Sequence, residues 1–178
     1  MDYAEAAALA EATGFTHTGP LDPKTLVLKQ EVRQMCQANT CGQYGKRWSC
    51  PPGCGTLEEL AAQIGACTSG ILVQTVGQLE DSMDWEGMME AEARHKKHFL
   101  QMYESLRTRG VPVLAIGAGC CTQCKTCSYP DAPCRFPEKM VRSMEAFGMV
   151  VSEACKANHL PYYYGPDTIA YTSCFLFE

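Results

Sequence analysis

Apolar positions along the chain alternate between short continuous runs and helical spacing. The continuous runs predict buried strands over residues 70–76, 111–119 and 169–177. Apolar residues at steps of three and four predict a long amphipathic helix over 85–109 and another helix over 137–156. Pro137 suits the first turn of the second helix, because its missing N–H needs no partner there.

The remaining predicted elements are shorter. A stretch rich in Ala and Glu predicts a helix over 3–12, and a strand should follow over 15–19. Thr56 and Glu59 form a capping-box signature, so we expect a helix to begin after Thr56. Alternating strands and helices indicate an α/β or α+β fold, a single-domain sandwich over 1–178 whose mixed central sheet has parallel strands at its centre.

Two irregular segments, 36–54 and 120–134, interrupt this pattern. Both are rich in Gly and Pro, and we expect them to form loops between the regular elements. They hold nine of the 12 cysteines in a chain of 178 residues. Cysteine usage this high makes the two loops the most informative part of the sequence.

Charge and hydropathy limit the environment and the partners. The net charge of −5 contains no basic cluster, so we expect neither a nucleic-acid partner nor an anionic membrane surface. The first residues lack a basic region followed by an apolar run, and no stretch is long enough to span a bilayer. We therefore expect a cytoplasmic protein, in which dense cysteines more often bind metal or carry out redox chemistry than form disulfides.

The second segment has the stronger metal-binding signature. Cys121, Cys124 and Cys127 have the C-x2-C-x2-C spacing of bacterial ferredoxins, whose loop presents successive thiolates to a cubane cluster. A fourth thiolate must come from elsewhere. Cys134 is the nearest candidate, although six residues separate it from Cys127, and Cys120 is the other.

The first segment carries Cys36, Cys41, Cys50 and Cys54, with gaps of four, eight and three residues. Structural zinc sites usually take two tightly spaced pairs, which this segment lacks. A cubane cluster tolerates wider gaps because its corners are further apart. The spacing favours a [4Fe-4S] cluster in each segment, with zinc as the alternative.

Three motifs give the chain a resemblance to a known family. They are CxxxxCxxYGxxWxCPP over 36–52, GCCTQCKTC over 119–127 and PCRFPEKMVRSMEAFGM over 133–149. The chain resembles the predicted metal-binding proteins of the DUF2284 family over most of its length. The resemblance implies a cysteine-bound metal and leaves substrate and reaction open. It assigns eight ligands, which are Cys36, Cys41, Cys50, Cys54, Cys121, Cys124, Cys127 and Cys134.

These observations favour an iron–sulfur protein with two [4Fe-4S] clusters. It would act in electron transfer or as a reductase component, with a redox partner protein or a small molecule as its substrate. One alternative is a non-redox enzyme in which an iron with an open coordination position acts as a Lewis acid. The other is a zinc-stabilised interaction module.

Other residues support the fold or the sites. Cys67, Cys155 and Cys174 stand alone in periodic segments, so we expect them to pack as small hydrophobic residues. His95 lies on the apolar face of its helix and should be a satisfied core imidazole. Arg135, Lys139 and Arg142 either stabilise an anionic cluster near Cys134 or form a solvated helix face. The N-terminus of the helix predicted over 137–156 would point its positive dipole at that cluster.

Overall fold

The computed structural model describes residues 1–178, and a five-stranded mixed sheet lies at its centre. The strands span His17–Leu21 (β1), Ser69–Gln78 (β2), Val113–Gly117 (β3), Arg142–Ser143 (β4) and Thr168–Phe177 (β5). They are arranged in the order β1-β2-β5-β3-β4. Every neighbouring pair is antiparallel except β3 and β4.

Five α-helices surround the sheet. They span Tyr3–Thr13 (α1), Gln30–Gln37 (α2), Leu57–Gly65 (α3), Trp85–Thr108 (α4) and Val151–Ala157 (α5). The capping box predicted at Thr56 and Glu59 is present and opens α3. None of the helices combines the length and the apolar character that a membrane crossing requires.

Helices cover both faces of the sheet because β2 and β5 are apolar on both faces. Ile71 and Val73 pack with α1 and α4 on one face. Leu72 packs with α3 and α5 on the other. Cys155 and Cys174 are fully buried in this second cluster, and Cys67 packs against its edge, as predicted for packing residues. The mixed α/β class predicted from the sequence is confirmed.

His95 is a buried and satisfied imidazole, as predicted. Its Nδ1 lies 3.0 Å from Thr75 Oγ1 and its Nε2 lies 2.7 Å from Ser173 Oγ. Burial lowers the pKa of His95 to about 3. The imidazole is therefore neutral at physiological pH and joins α4 to β2 and β5.

Two predictions about the fold are wrong. The centre of the sheet is antiparallel, and its one parallel pair, β3 with β4, lies at the edge. The helix predicted over 137–156 does not form either. A single 3-10 turn spans Pro137–Lys139, β4 follows it, and the helix of this region is only α5.

The pairing of β4 with β3 takes residues 142–143 out of the predicted helix, and the backbone at Gly148 interrupts the rest of it. Gly148 has a φ of +84°, and its carbonyl accepts a hydrogen bond from the Lys29 N–H at 2.8 Å. This left-handed conformation interrupts a right-handed helix, and the contact with Lys29 fixes it. Met144 and Phe147 remain fully buried from this irregular segment, so their helical spacing reflects burial rather than a helix.

Candidate metal centre

The two cysteine-rich loops lie against each other, although 65 residues separate Cys54 from Cys120. The first loop begins at Cys36 in the last turn of α2 and ends before α3. The second loop follows β3 and ends before the 3-10 turn at Pro137. The fold therefore joins two groups of thiols that the sequence keeps apart.

Hydrogen bonds from residues 47–49 hold the loops together. The Arg47 Nη1 donates to the Cys121 carbonyl at 3.0 Å, and the Cys121 N–H donates to the Ser49 hydroxyl at 3.2 Å. The Trp48 Nε1 donates to the Ala132 carbonyl at 3.0 Å. The part of the first loop between Cys41 and Cys50 thus serves as a support for the second loop.

Close packing strengthens this junction. The Trp48 ring meets the Tyr129 ring edge to face, with centroids 4.8 Å apart. A Cβ on Gly53 would lie 2.7 Å from Tyr129 Cε2 and 2.9 Å from the Arg47 carbonyl oxygen. Glycine at 53 is therefore what allows the two loops to approach this closely.

The thiols of the second group line a single cavity. Its wall includes Cys121, Cys124, Cys127 and Cys134. Cys120 instead lines a separate cavity with residues of α4. Cys121 lines both cavities, so of the five thiols in this loop only Cys120 is absent from the cavity that the other four share.

Cys127 of the second loop has surroundings that favour its thiolate form. Burial raises the pKa of the Cys127 thiol, but the backbone amides of Tyr129, Trp48 and Ser128 and the Arg47 guanidinium outweigh it, so the pKa lies below its ordinary value. The thiolate is the form that binds metal. Position 127 is thus favoured as a ligand.

The amides of the second loop are also free to bind sulfur. From 118 to 131, the Cys121 N–H donates to the Ser49 hydroxyl, and the amides of Ser128 and Tyr129 interact with the Cys127 thiol. The other backbone amides of this stretch donate to no protein oxygen. Free N–H groups can donate to thiolate and inorganic sulfide, and such hydrogen bonds influence the reduction potential of a cluster.

The thiols of the first group influence one another electrostatically. Burial and the neighbouring Cys41 thiol raise the pKa of Cys36. Burial, with added repulsion from Cys120, Cys41 and Cys54, raises the pKa of Cys50 to about 11. Burial and neighbouring thiols oppose the ionisation of Cys36 and Cys50, and a bound metal would supply the positive charge that favours it.

Two guanidinium groups border the first group without any carboxylate partner within 4.0 Å. Arg33 donates to the carbonyls of Ala146 and Gly55, each at 2.9 Å. Arg142 donates to the Cys54 carbonyl at 3.4 Å. Burial raises the pKa of the Cys54 thiol, and both guanidinium groups oppose that rise. Their charges favour an anionic centre here.

The donor set fits a metal held by thiolates. All 12 cysteines are free thiols, eight of them fall into the two groups described above, and amides and guanidinium groups surround them. No three His, Cys, Asp or Glu side chains converge closely enough to chelate a single metal ion.

The charged residues near the sites differ in part from those that the sequence suggested. Arg142 lies beside Cys54 of the first group, and Arg135 donates to the Thr126 carbonyl at 2.8 Å within the second loop. Only a single 3-10 turn begins after Cys134, so the dipole of the expected long α-helix is missing. Sequence reasoning missed Arg33 and Arg47. Their proximity to Cys36 and Cys50 along the chain was the available signal.

Comparison with known families gives one result. Residues 19–177 match the family model described as predicted metal-binding protein (DUF2284). Comparisons with curated proteins and with solved structures produced no match. The family model spans nearly the whole chain and contains both cysteine groups, and the chain accordingly belongs to the DUF2284 family of predicted metal-binding proteins.

Proposed function

We propose that this chain is an iron–sulfur protein that binds two [4Fe-4S] clusters and acts in electron transfer or as a reductase component. The observation that carries the proposal is the contact between the two cysteine loops through Arg47, Trp48 and Ser49. Two centres held by touching loops are suited to exchange electrons. A bound cluster supplies one-electron redox chemistry.

The residues divide between the two centres. Cys36, Cys41, Cys50 and Cys54 would hold the first cluster, and Cys121, Cys124, Cys127 and Cys134 the second. Arg33 and Arg142 provide positive charge beside the first centre, and free amides of the second loop provide donors for sulfur. The cavity shared by Cys134 and the other three thiols supports ligation by cysteine at all four corners of the second cluster.

Anaerobic purification followed by metal and sulfide analysis tests this proposal. Two cubanes require about eight iron atoms and about eight acid-labile sulfides per chain. The protein should be brown, and dithionite should bleach its visible absorption. Cys67→Ala is a matched control, because Cys67 packs against the core outside both groups and its loss should leave the iron content unchanged.

Two results would contradict the proposal. An iron and sulfide content of about four per chain would mean that only one cubane forms. Stoichiometric zinc without sulfide, in a colourless protein, would favour a zinc-stabilised interaction module.

A further inference from the structure

A cleft is bordered by both cysteine loops and by one thiol from each group. Its volume is about 360 Å³, within the range of ligand-binding pockets. Cys54 of the first group and Cys134 of the second both contribute to its wall, together with Trp48, Met140 and Arg142. A molecule in this cleft would lie beside both groups.

Arg142 brings an incompletely paired positive charge to the cleft. A guanidinium has five N–H donors. Arg142 uses two of its groups, Nη1 toward the Cys54 carbonyl at 3.4 Å and Nη2 toward Gln63 Oε1 at 2.7 Å. Its remaining contact is with the face of Phe147, whose ring centroid lies 5.1 Å from the guanidinium carbon. No carboxylate neutralises it, although a partly buried charge is costly without a partner.

The rest of the wall suits a flat or apolar body. Trp48 is fixed by its hydrogen bond to Ala132 and by its edge contact with Tyr129, so its indole presents a rigid surface. Met140 and Pro133 add apolar surface. An aromatic ring or a short hydrocarbon chain would find complementary surface here.

We infer that this cleft binds a small organic carboxylate, whose carboxylate pairs with Arg142 and whose planar or apolar body packs against Trp48 and Met140. Guanidinium and carboxylate groups match in shape and charge and form charge-assisted hydrogen bonds. The role of this ligand as a redox substrate rests on the proposed function; its binding to the cleft does not.

Isothermal titration with two probes of the same shape tests the inference. Benzoate carries the negative charge, and benzamide is its neutral counterpart. The metal-loaded protein should bind benzoate at least tenfold more tightly than benzamide. Arg142→Gln should abolish this preference by weakening benzoate binding at least tenfold, while benzamide binding stays unchanged and shows that the cleft is intact.

Arg109→Gln is the matched control, because Arg109 is an exposed arginine that does not line the cleft. It should keep the preference for benzoate. Equal affinity for both probes, equal losses in the two variants, or no saturable binding to the metal-loaded protein would overturn the inference. The titration does not depend on which metal is present. Zinc in place of iron would contradict the proposed function while leaving an Arg142-dependent carboxylate site intact.

Discussion

At the scale of single residues, the surroundings of Cys134 and Cys120 separate two thiols that the sequence treats as equal candidates. Cys134 shares a cavity with Cys121, Cys124 and Cys127. Cys120 lines another cavity and adds to the repulsion that raises the pKa of Cys50. Because Cys134 lines the cavity that the other three cysteines share, it is favoured over Cys120 as the fourth ligand of the proposed second cluster, despite its irregular spacing.

Replacing these two cysteines should give different spectra. Cys134→Ala should lose the second cluster or convert it to a three-iron form, because one corner loses its thiolate. Cys120→Ala should keep both clusters. Electron paramagnetic resonance of the oxidised and reduced variants distinguishes the cases, and an intact pair of four-iron clusters in Cys134→Ala would reject the assignment.

His95 should make stability depend on pH. Its pKa is about 6.5 in the unfolded chain and about 3 in the folded protein, so only the unfolded state takes up a proton between these values. The free energy of unfolding therefore falls as pH falls below about 6.5, by about 1.4 kcal/mol per pH unit from this group. This stabilising contribution is fully present above that pH.

His95→Gln should remove this dependence, since an amide does not titrate in this range. Between about pH 7 and about pH 5, the parent should lose about 2 kcal/mol more stability than the variant. Urea denaturation of both proteins at the two pH values measures the difference. Parallel losses would show that the folded protein does not lower the pKa of His95.

At the scale of elements, the two loops depend on each other more than on the helices that flank them. The first loop contains internal backbone hydrogen bonds, such as Cys54 N–H to the Cys50 carbonyl at 3.1 Å. The second loop has few internal backbone hydrogen bonds. Hydrogen bonds with Arg47, Trp48 and Ser49 of the first loop hold it in place. Damage at the junction should therefore affect the second loop most.

Gly53→Ala tests the junction directly. The new Cβ would overlap the Tyr129 ring and the Arg47 carbonyl, so we expect a loss of roughly 1–3 kcal/mol in stability and a lower metal content in the second centre. Urea denaturation and metal analysis measure the two effects. Gly65→Ala is the control. Gly65 lies at the end of α3, and no atom lies within 4 Å of the position that an added Cβ would take. Equal behaviour of the two variants would mean that the loops tolerate separation.

At the scale of the whole molecule, the sheet and its helices bring the two thiol groups to one place. The order β5-β3-β4 sets the end of β3, where the second loop begins, beside β4 and Arg142. Arg142 then reaches Cys54 of the first loop. The sheet and its helices thus position both proposed centres.

If both proposed clusters form, they should lie close enough to interact magnetically, because the two loops contact each other. The spectrum of the fully reduced parent should be broader than the sum of two isolated cluster signals, because each reduced cluster carries an unpaired spin. Cys50→Ala, which removes a proposed ligand of the first centre, should return the signal of the second centre to a narrow, isolated form. A parent spectrum that equals the simple sum would contradict the proposed proximity.

Local pattern alone was enough for much of this protein. The capping box at Thr56, the long helix α4, strands β2 and β5, and the buried Cys155 and Cys174 all follow from the sequence, and the structure confirms them. The predicted metal-binding family follows from the cysteine motifs in the same way. These features depend on residues close together along the chain, and their spacing reflects the period of burial or the family's cysteine motif directly.

Only the tertiary structure decided how these parts meet. The antiparallel centre of the sheet, the irregular segment fixed by Gly148 against Lys29, the cavity shared by Cys134 and the approach of Arg142 to Cys54 are contacts between distant residues. Apolar spacing shows that Met144 and Phe147 are buried, but a helix and a set of turns can bury them equally well. Strand direction and contacts between loops depend on packing between residues that are far apart along the chain. The local spacing of residues does not determine that packing.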